Sequence, residues 1–138
     1  MTARAIFARN TSGWDHTCRG GLCWTTARNY KNAISTELFL TLAALLHQRV
    51  PADGSYLTWA RRAWEWFRAS RLIGPGGLVN DGLTSACVNN GLTTWTYNQG
   101  VILGGLAALC SPSCAAWTPP GCTASAPTSS TGYTPTRP

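Results

Sequence analysis

The chain has 138 residues, which is the length of one domain and too short for two independent hydrophobic cores. Hydrophobic residues make up 44% and charged residues only 12%, which excludes a coiled coil and a charge-rich disordered protein. The 11 basic and 5 acidic side chains give a net charge of +6, but the arginines are scattered and no nucleic-acid-binding motif accompanies them. No nucleic-acid partner is therefore predicted.

The start of the chain and its longest apolar run indicate where the chain would be located. The first nine residues lack the apolar stretch of a signal peptide. The longest apolar run, near residues 38–46, is too short to span a bilayer. The sequence as it stands predicts a cytoplasmic chain without a membrane span.

Composition divides the chain into two unequal regions. Six of the seven tryptophans and all the strong periodicity lie in residues 1–109. Residues 111–138 contain 17 Pro, Ser or Thr among 28, and such a segment cannot bury enough apolar surface to offset its chain entropy. We predict a folded region over residues 1–109 and a disordered tail over residues 110–138.

The first strongly periodic segment predicts a helix over residues 32–49. Its large apolar residues recur every three or four positions and would form the buried face: Ile34, Leu38, Leu42, Leu45 and Leu46. Pro51 ends this helix, and Asp53 or Ser55 caps the next, over residues 56–70. Two helices joined by a short turn form an antiparallel hairpin, in which Trp64 and Phe67 are expected to pack against Leu38 and Leu42.

A loop over residues 71–94 follows the hairpin, and loops of this length inside a domain usually have a function. A third helix is predicted over residues 98–109. Its glycines, Gly100, Gly104 and Gly105, would let another helix approach closely. The order helix, turn, helix, long loop, helix predicts an all-α fold.

Six cysteines lie at positions 18, 23, 87, 110, 114 and 122. None of their spacings is the paired CxxC of a zinc site, so neither a metal site nor a cofactor is predicted. Three of the six lie in the predicted tail. In an oxidising compartment Cys18, Cys23 and Cys87 would leave one disulfide and one free thiol.

The five acidic residues are the candidates for acid–base chemistry, and no two of them are adjacent in the sequence. Glu37 and Glu65 lie on predicted helices, where a carboxylate faces solvent or a partner helix. Asp53 is a turn or cap residue. Asp81 lies in the long loop, where it either forms a turn or has a function, and Asp15 lies in a Gly-rich loop.

Aromatic and amide side chains cluster at the starts of two predicted helices. The two sets are Trp24, Tyr30, Lys31 and Asn32 at the first helix, and Trp95, Tyr97, Asn98 and Gln99 at the third. Aromatic rings stack on the C–H faces of sugars, and amides bond to sugar hydroxyls, so both clusters suit a carbohydrate. The alternative is that the rings only pack the loops onto the helices.

Five short motifs occur in a defined order along the chain. They are GGLCW at 20–24, YKNAIS at 30–35, YLTWA at 56–60, LVNDGL at 78–83 and TWTYNQG at 94–100. Through these motifs residues 5–109 resemble glycoside hydrolase family 76, the α-1,6-mannanases of bacteria and fungi. The resemblance implies part of an (α/α)6 barrel, in which six helical hairpins form a ring and loops at one end form the sugar groove.

The resemblance also implies a chemistry and a partner. Family members cleave α-1,6-mannan with retention of configuration, using two neighbouring aspartates as nucleophile and acid/base. Intact members are extracellular or attached to the cell surface. The implied partner is α-mannan or a manno-oligosaccharide, and the residues expected to bind it are Trp24, Lys31, Asn32, Asn80, Asp81, Trp95, Tyr97 and Asn98.

The chain departs from the family pattern in ways that decide its predicted activity. The family's adjacent Asp-Asp pair belongs to a hairpin upstream of the matched region, so no catalytic residue is predicted here. Arg19 and Cys23 stand where the family has Gly and Trp. We predict an interior fragment of a mannanase that is inactive alone. The alternatives are a non-catalytic carbohydrate-binding remnant and a basic, Trp-rich interaction protein.

Cysteine pairing, self-association and the tail are judged from the same resemblance. The loops around Cys18 and Cys87 should lie at one end of the helices, so we expect these two cysteines to pair. Cys23 stays free because the family favours Trp at its position. Helix faces that a whole barrel would cover are expected to be exposed and to favour self-association. A frameshifted reading frame is our hypothesis for the tail.

Overall fold

The structure, a computed structural model, describes residues 2–110 of the chain. This range contains four α-helices and no β-strand: α1 Ala3–Gly13, α2 Ala33–Arg49, α3 Gly54–Ala69 and α4 Thr96–Leu109. The all-α prediction is confirmed, and the three predicted helices agree with α2, α3 and α4 to within two residues at each end. The predicted tail from residue 111 onward, with Cys114 and Cys122, lies outside the described residues.

The helix α1 is absent from the sequence prediction. Its N-cap is Thr2, whose side chain accepts a hydrogen bond from the backbone N–H of Ala5. Phe7 is the one buried residue of α1, so the segment lacks the repeated apolar spacing that indicates a helix. The cap residue and the high helix propensity of its alanines and arginines are the signals that could have identified it.

The helix α2 is central and packs against α1, α3 and α4. The N-terminal ends of α2 and α4 meet at Asp81, which bonds both Ala33 and Trp95. Their C-terminal ends meet where Gln48 donates to the carbonyl of Ala108. The two helices therefore run parallel, and the loops that precede them lie at the same end of the molecule, here called the loop end.

Close contact between α2 and α4 depends on a glycine. A Cβ at Gly105 would overlap the side chains of Leu40 and Thr41, whereas Gly100 and Gly104 have no neighbour within 4 Å. Of the three glycines predicted to permit a close helix approach, Gly105 is the one that does so.

Aromatic rings join α1, α2 and α3 into one core. Phe7 packs against Phe39 and Tyr56, and Trp14 packs against Phe39, Trp59 and Trp66. The guanidinium of Arg62 lies over the rings of Trp14 and Trp59, at 5.2 and 4.7 Å from their centroids. Six aromatic residues distant in sequence thus hold the three helices together.

The predicted apolar face of α2 is partly wrong. Leu38 and Leu45 are 54% and 46% exposed, and Leu38 is outside the core that contains Phe67. The core instead contacts α2 through Phe39 and Leu40 and through small residues such as Ala43. Because three helices surround α2, the buried side is wider than one stripe, and spacing of the large leucines does not locate it. The predicted contact of Leu38 with Trp64 and Phe67 is therefore not part of the core.

The described helices leave several large apolar side chains exposed, Leu103 of α4 the most among the helical ones. These surfaces are compatible with the self-association expected from the sequence, which stays a prediction. None of the four helices has the length and apolar character needed to cross a membrane.

Candidate functional site at the loop end

A buried ion pair supports the Gly-rich turn before α2. Lys31 Nζ lies 2.6 Å from Asp15 Oδ1 and 2.7 Å from the carbonyl oxygen of Gly21, and the two ion-pair side chains are 2% and 9% exposed. Burial acts to raise the pKa of Asp15, but the hydrogen bond and charge of Lys31 outweigh it, so the pKa is lowered. The positive charge of the Lys31 ammonium is therefore balanced by the Asp15 carboxylate inside the protein.

The free thiol of Cys23 belongs to the same cluster. Its Sγ lies 3.6 Å from Asp15 Oδ2 and donates a weak hydrogen bond to it. Burial is the main cause that raises the pKa of this thiol, and the carboxylate of Asp15 adds to the rise. Cys23 is thus a protonated donor to the ion pair at neutral pH.

The Gly-rich turn requires glycine at two positions. Gly20 and Gly21 have φ values of 140° and 78°, and a Cβ on either would overlap the ring of Trp66. The indole Nε1 of Trp66 donates to the carbonyl oxygen of Cys18 at 2.9 Å. A tryptophan of α3 thereby holds the backbone of the turn in place.

A disulfide ties this turn to the long loop. Cys18 and Cys87 are bonded, with their Cα atoms 5.2 Å apart, and Cys23 is free. The bond is between the two cysteines that the sequence placed at one end of the helices. It fixes the turn before α2 to the loop before α4.

Asp81 connects the two helix starts. Its Oδ1 accepts from Trp95 Nε1 at 3.0 Å, its Oδ2 accepts from Tyr30 Oη, and its backbone oxygen accepts from the N–H of Ala33 at 2.9 Å. Burial raises the pKa of Tyr30 to about 12, and its bond to Asp81 adds to the effect, so the phenol remains a donor. Asp81 therefore positions Trp95 and Tyr30 with both of its carboxylate oxygens.

Amide side chains extend this network into the long loop. Asn90 Nδ2 donates to Tyr30 Oη at 3.0 Å, and Asn80 donates to the amide oxygen of Asn90. Gly82 lies against Tyr30, where a Cβ would overlap the phenol ring. Gln99 bonds both backbone groups of Val79 at 2.8 Å. The loop is thus held against the start of α4 by side-chain hydrogen bonds.

Two exposed aromatic rings, Trp95 and Tyr97, lie parallel to each other at the start of α4 and are called here the Trp95–Tyr97 surface. Trp95 and Tyr97 are stacked, with ring centroids 5.8 Å apart and an interplanar angle of 11°. They are 44% and 47% exposed, although apolar rings usually avoid solvent. An exposed pair of parallel rings offers a stacking surface for the C–H face of a sugar.

The eight residues expected to bind sugar fall into three groups. Trp24, Trp95 and Tyr97 are exposed, and Asp81 is half-buried. The remaining four are buried: Lys31, Asn32, Asn80 and Asn98. Tyr30, Asn90 and Gln99 complete the network but are not among the eight, although Tyr30 and Gln99 belong to the two sequence clusters that suit a carbohydrate.

Trp24 lies apart from the Trp95–Tyr97 surface. It lines a cavity with residues of α1 and the first turns of α2, and none of those residues belongs to the Asp81 network. The aromatic residues expected to bind sugar are therefore divided between two surfaces.

The acidic residues of the described range differ in their surroundings. Asp15 is held by Lys31, Asp81 by Tyr30 and Trp95, and Glu65 by Arg68 at 2.6 Å. Glu37 is fully buried in α2, where burial raises its pKa to about 8. Residues 2–110 contain no group of three or more His, Cys, Asp or Glu that could hold a metal ion.

The family model of glycosyl hydrolase family 76 matches residues 1–117. The chain belongs to glycosyl hydrolase family 76. Mannan endo-1,6-alpha-mannosidase DCW1 of Candida albicans is 37% identical over 117 residues, and DCW1 of Saccharomyces cerevisiae is 34% identical over 117 residues.

The family 76 relatives are much longer than this chain. The match to each of these two curated relatives covers 78% of this chain but only 26% of the relative. The chain is therefore a fragment by comparison with them, spanning about a quarter of their length.

Solved structures of family 76 proteins share the fold. One is an inactive variant of the α-1,6-mannanase GH76A of Salegentibacter sp. HEL1_6, in which two consecutive aspartates are replaced by alanine, in complex with α-1,6-mannotetrose. It matches with a TM-score of 0.66 and 27% identity, and the match covers 77% of this chain and 32% of that one. Dfg5 of Chaetomium thermophilum, in complex with glucosamine, matches with TM-score 0.66, 28% identity and 77% and 28% coverage. The predicted fold class, part of a helical barrel, is confirmed.

Proposed function

We propose that this chain is part of an α-1,6-mannanase and supplies a sugar-binding surface, without the catalytic carboxylates. Relatives named as mannan endo-1,6-alpha-mannosidases and a family structure bound to α-1,6-mannotetrose support this substrate class. For the intact protein we keep the expectation of an extracellular or cell-surface location. The observation that carries the proposal is the exposed, stacked pair of Trp95 and Tyr97 at the loop end.

The aromatic pair is positioned before any ligand arrives. The indole of Trp95 is held by Asp81, and its backbone oxygen accepts from Gln99 Nε2 at 2.9 Å. A ring that is already oriented loses little conformational entropy on binding. The buried Asn80 supports the loop below this surface, because its amide donates to Asn90 and to the carbonyl oxygen of Gly82.

Absence of hydrolysis follows from the acids of this chain. The nearest two acids in sequence are Asp53 and Glu65, 12 positions apart, so no adjacent pair exists. Retaining chemistry needs two carboxyl groups about 5 to 5.5 Å apart across the scissile bond. The carboxylates of Asp15 and Asp81 are each bonded to side chains that position loops. We therefore assign them supporting roles.

Binding is tested by titrating the 15N-labelled chain with α-1,6-mannotriose and following chemical shifts. We expect a dissociation constant of about 1 mM, because the groove is formed by one part of a barrel. Trp95→Ala should weaken binding about tenfold by removing the stacking surface. Trp95→Phe keeps a ring but loses the bond to Asp81, so an intermediate loss is expected.

Leu103→Ala is the matched control, because Leu103, like Trp95, is an exposed apolar residue and lies farther along α4. Its binding should equal that of the unchanged chain. Equal binding by the unchanged chain and Trp95→Ala, with shifts away from residues 95–97, would contradict the proposed surface.

Hydrolysis is tested by measuring reducing ends released from α-1,6-mannan. No turnover above the buffer is expected, since loss of an essential carboxylate removes several orders of magnitude in rate. Turnover that Asp15→Asn or Asp81→Asn abolishes would make those residues catalytic and overturn the proposal. Mannotriose binding without turnover is the expected combination.

We propose a folded region over residues 1–109 and a tail over residues 110–138, which limited proteolysis would test by cleavage confined to the tail. Self-association through the exposed leucines would appear in sedimentation as a mass that rises with concentration.

A further inference from the structure

A cavity of about 500 Å³ lies between α1, the segment of residues 23–31 and the first turns of α2. Residues 23–31 form a hairpin, in which the N–H of Trp24 donates to the carbonyl oxygen of Tyr30 at 2.8 Å and Cys23 pairs with Lys31. The helix α1 supplies Arg9 and Asn10 to the wall, and α2 supplies Ser35. Three separate parts of the chain thus converge on one concave surface.

The cavity is positively charged. Arg9 of α1 and Arg28 of the hairpin both line it, and no acidic residue is among its lining residues. Within the part of the chain that the structure describes, neither guanidinium takes part in an ion pair. Asp15 does not line the cavity but accepts a hydrogen bond from Cys23, which does, and the charge of Asp15 is balanced by Lys31. The two arginines are therefore available for an anion.

The remaining wall has the composition of a sugar site. Trp24 is 62% exposed, and its ring borders the same space as Asn10, Ser12, Thr25 and Ser35. An exposed indole stacks on a pyranose face, and amide and hydroxyl side chains bond its hydroxyl groups. Guanidinium groups bond phosphate oxygens in a bidentate geometry. Phosphate and sugar recognition therefore occur in one cavity.

We propose that this cavity binds a sugar phosphate, with the Trp24 indole under the sugar ring and Arg9 and Arg28 on the phosphate oxygens. The cavity is distinct from the Trp95–Tyr97 surface. The proposal rests on the proposed function only for the choice of mannose as the sugar. Under this proposal, the cavity prefers phosphorylated mannan units to neutral ones.

The probes are methyl α-mannoside, methyl α-mannoside 6-phosphate and inorganic phosphate, titrated separately into the 15N-labelled chain. We expect the phosphorylated mannoside to bind about tenfold tighter than either of the others, with shifts at the Trp24 indole and the Arg9 and Arg28 side chains. Raising the salt concentration should weaken it more than it weakens the neutral mannoside.

Variants assign the contacts. Arg9→Gln and Arg28→Gln should each remove most of the preference for the phosphorylated mannoside, and Trp24→Ala should weaken both mannosides. Arg28→Lys keeps the charge but not the bidentate geometry, so an intermediate preference is expected. Arg49→Gln, which removes a positive charge at the C-terminal end of α2, is the matched control and should bind as the unchanged chain does.

Equal affinity for the phosphorylated and neutral mannosides would overturn the proposal, as would full binding by both arginine variants. Inorganic phosphate binding as tightly as the phosphorylated mannoside would overturn the assignment of a sugar site. Trp95→Ala separates the two proposals. It should leave the phosphorylated mannoside bound at Trp24 even if no neutral mannotriose binds at Trp95 and Tyr97.

Discussion

Two buried carboxyl groups differ in their hydrogen-bond partners. Asp15 lies in the Gly-rich turn, and Glu37 lies at the interface of α2 and α4. Asp15 accepts hydrogen bonds from Lys31, from the backbone N–H of Thr17 and from Cys23, and its pKa is lowered. Glu37 is fully buried, and neither of its oxygens has a hydrogen-bond partner among the described residues. Burial raises its pKa to about 8. The partner, rather than burial alone, decides which carboxyl group is ionised at neutral pH.

The positions of the two groups explain the difference. Lys31 lies in the hairpin before α2, where its long side chain reaches back to Asp15 across the Gly-rich turn. Glu37 lies one helical turn before Thr41, the residue against which Gly105 of α4 packs, so it shares the side of α2 that faces α4. The described part of α4 carries Tyr97 as its single titratable side chain, and that ring is exposed. A cation is therefore available to Asp15 but none comes from α4 to Glu37.

The largest effect is expected from breaking the buried ion pair of Lys31 and Asp15. Lys31→Met leaves the carboxylate of Asp15 buried without its cation, and removing one partner of a buried pair typically costs about 3 to 5 kcal/mol of stability. Urea denaturation at pH 7 measures the loss. The double variant Asp15→Asn with Lys31→Met should recover most of it, since no buried charge remains. A loss below about 1 kcal/mol in the single variant would contradict the comparison.

A somewhat smaller effect is expected from Glu37, which has no partner in the described range: the stability of the protein should depend on pH. Burial raises the pKa of Glu37 to about 8 in the folded protein, against an ordinary value of 4.5, so the native state binds more protons than the unfolded state between these values. The contribution of neutral Glu37 to stability is fully present below pH 4.5 and is lost as the pH rises toward 8. The steepest slope is about 1.4 kcal/mol per pH unit, giving a loss of roughly 3 kcal/mol at pH 7.

Glu37→Gln should abolish this slope, because an amide of the same shape does not ionise. Denaturation of both proteins from pH 5 to pH 8 makes the measurement. Asp15 does not mask the result. Because its pKa is lowered, its contribution to stability is fully present above the ordinary pKa of an aspartate and is lost only at lower pH, outside the measured range. Parallel pH profiles for the two proteins would show that Glu37 is ionised or solvated when folded.

The smallest effect tests how tightly α4 lies against the side of α2 that contains Glu37. Gly105→Ala places a Cβ against Leu40 and Thr41 and should cost about 1 to 3 kcal/mol through overpacking. Gly104→Ala is the matched control on the same helix. It meets no atom within 4 Å and should stabilise the protein by about 0.5 to 1 kcal/mol. Equal effects of the two substitutions would indicate a loose interface.

Much of the fold could be predicted from local sequence signals. The three longest helices follow from apolar spacing together with nearby stop and cap residues such as Pro51 and Asp53, whose side chain caps α3 through Ser55. The order of the five motifs led to the family. Local signals failed for α1, because a short helix that buries one side chain shows no repeated pattern.

The sequence by itself determined the all-α class, the boundaries of α2, α3 and α4 and the residue types suited to a sugar, since these depend on neighbours a few positions apart. Only the tertiary structure decided which side of α2 is buried, that Lys31 is paired inside the protein, and that Glu37 has no partner in the described range. It also joined Tyr30 to Asp81, 51 positions away, and separated Trp24 from Trp95. The physical reason is that burial and pairing depend on contacts between distant segments, which apolar periodicity along one segment does not encode.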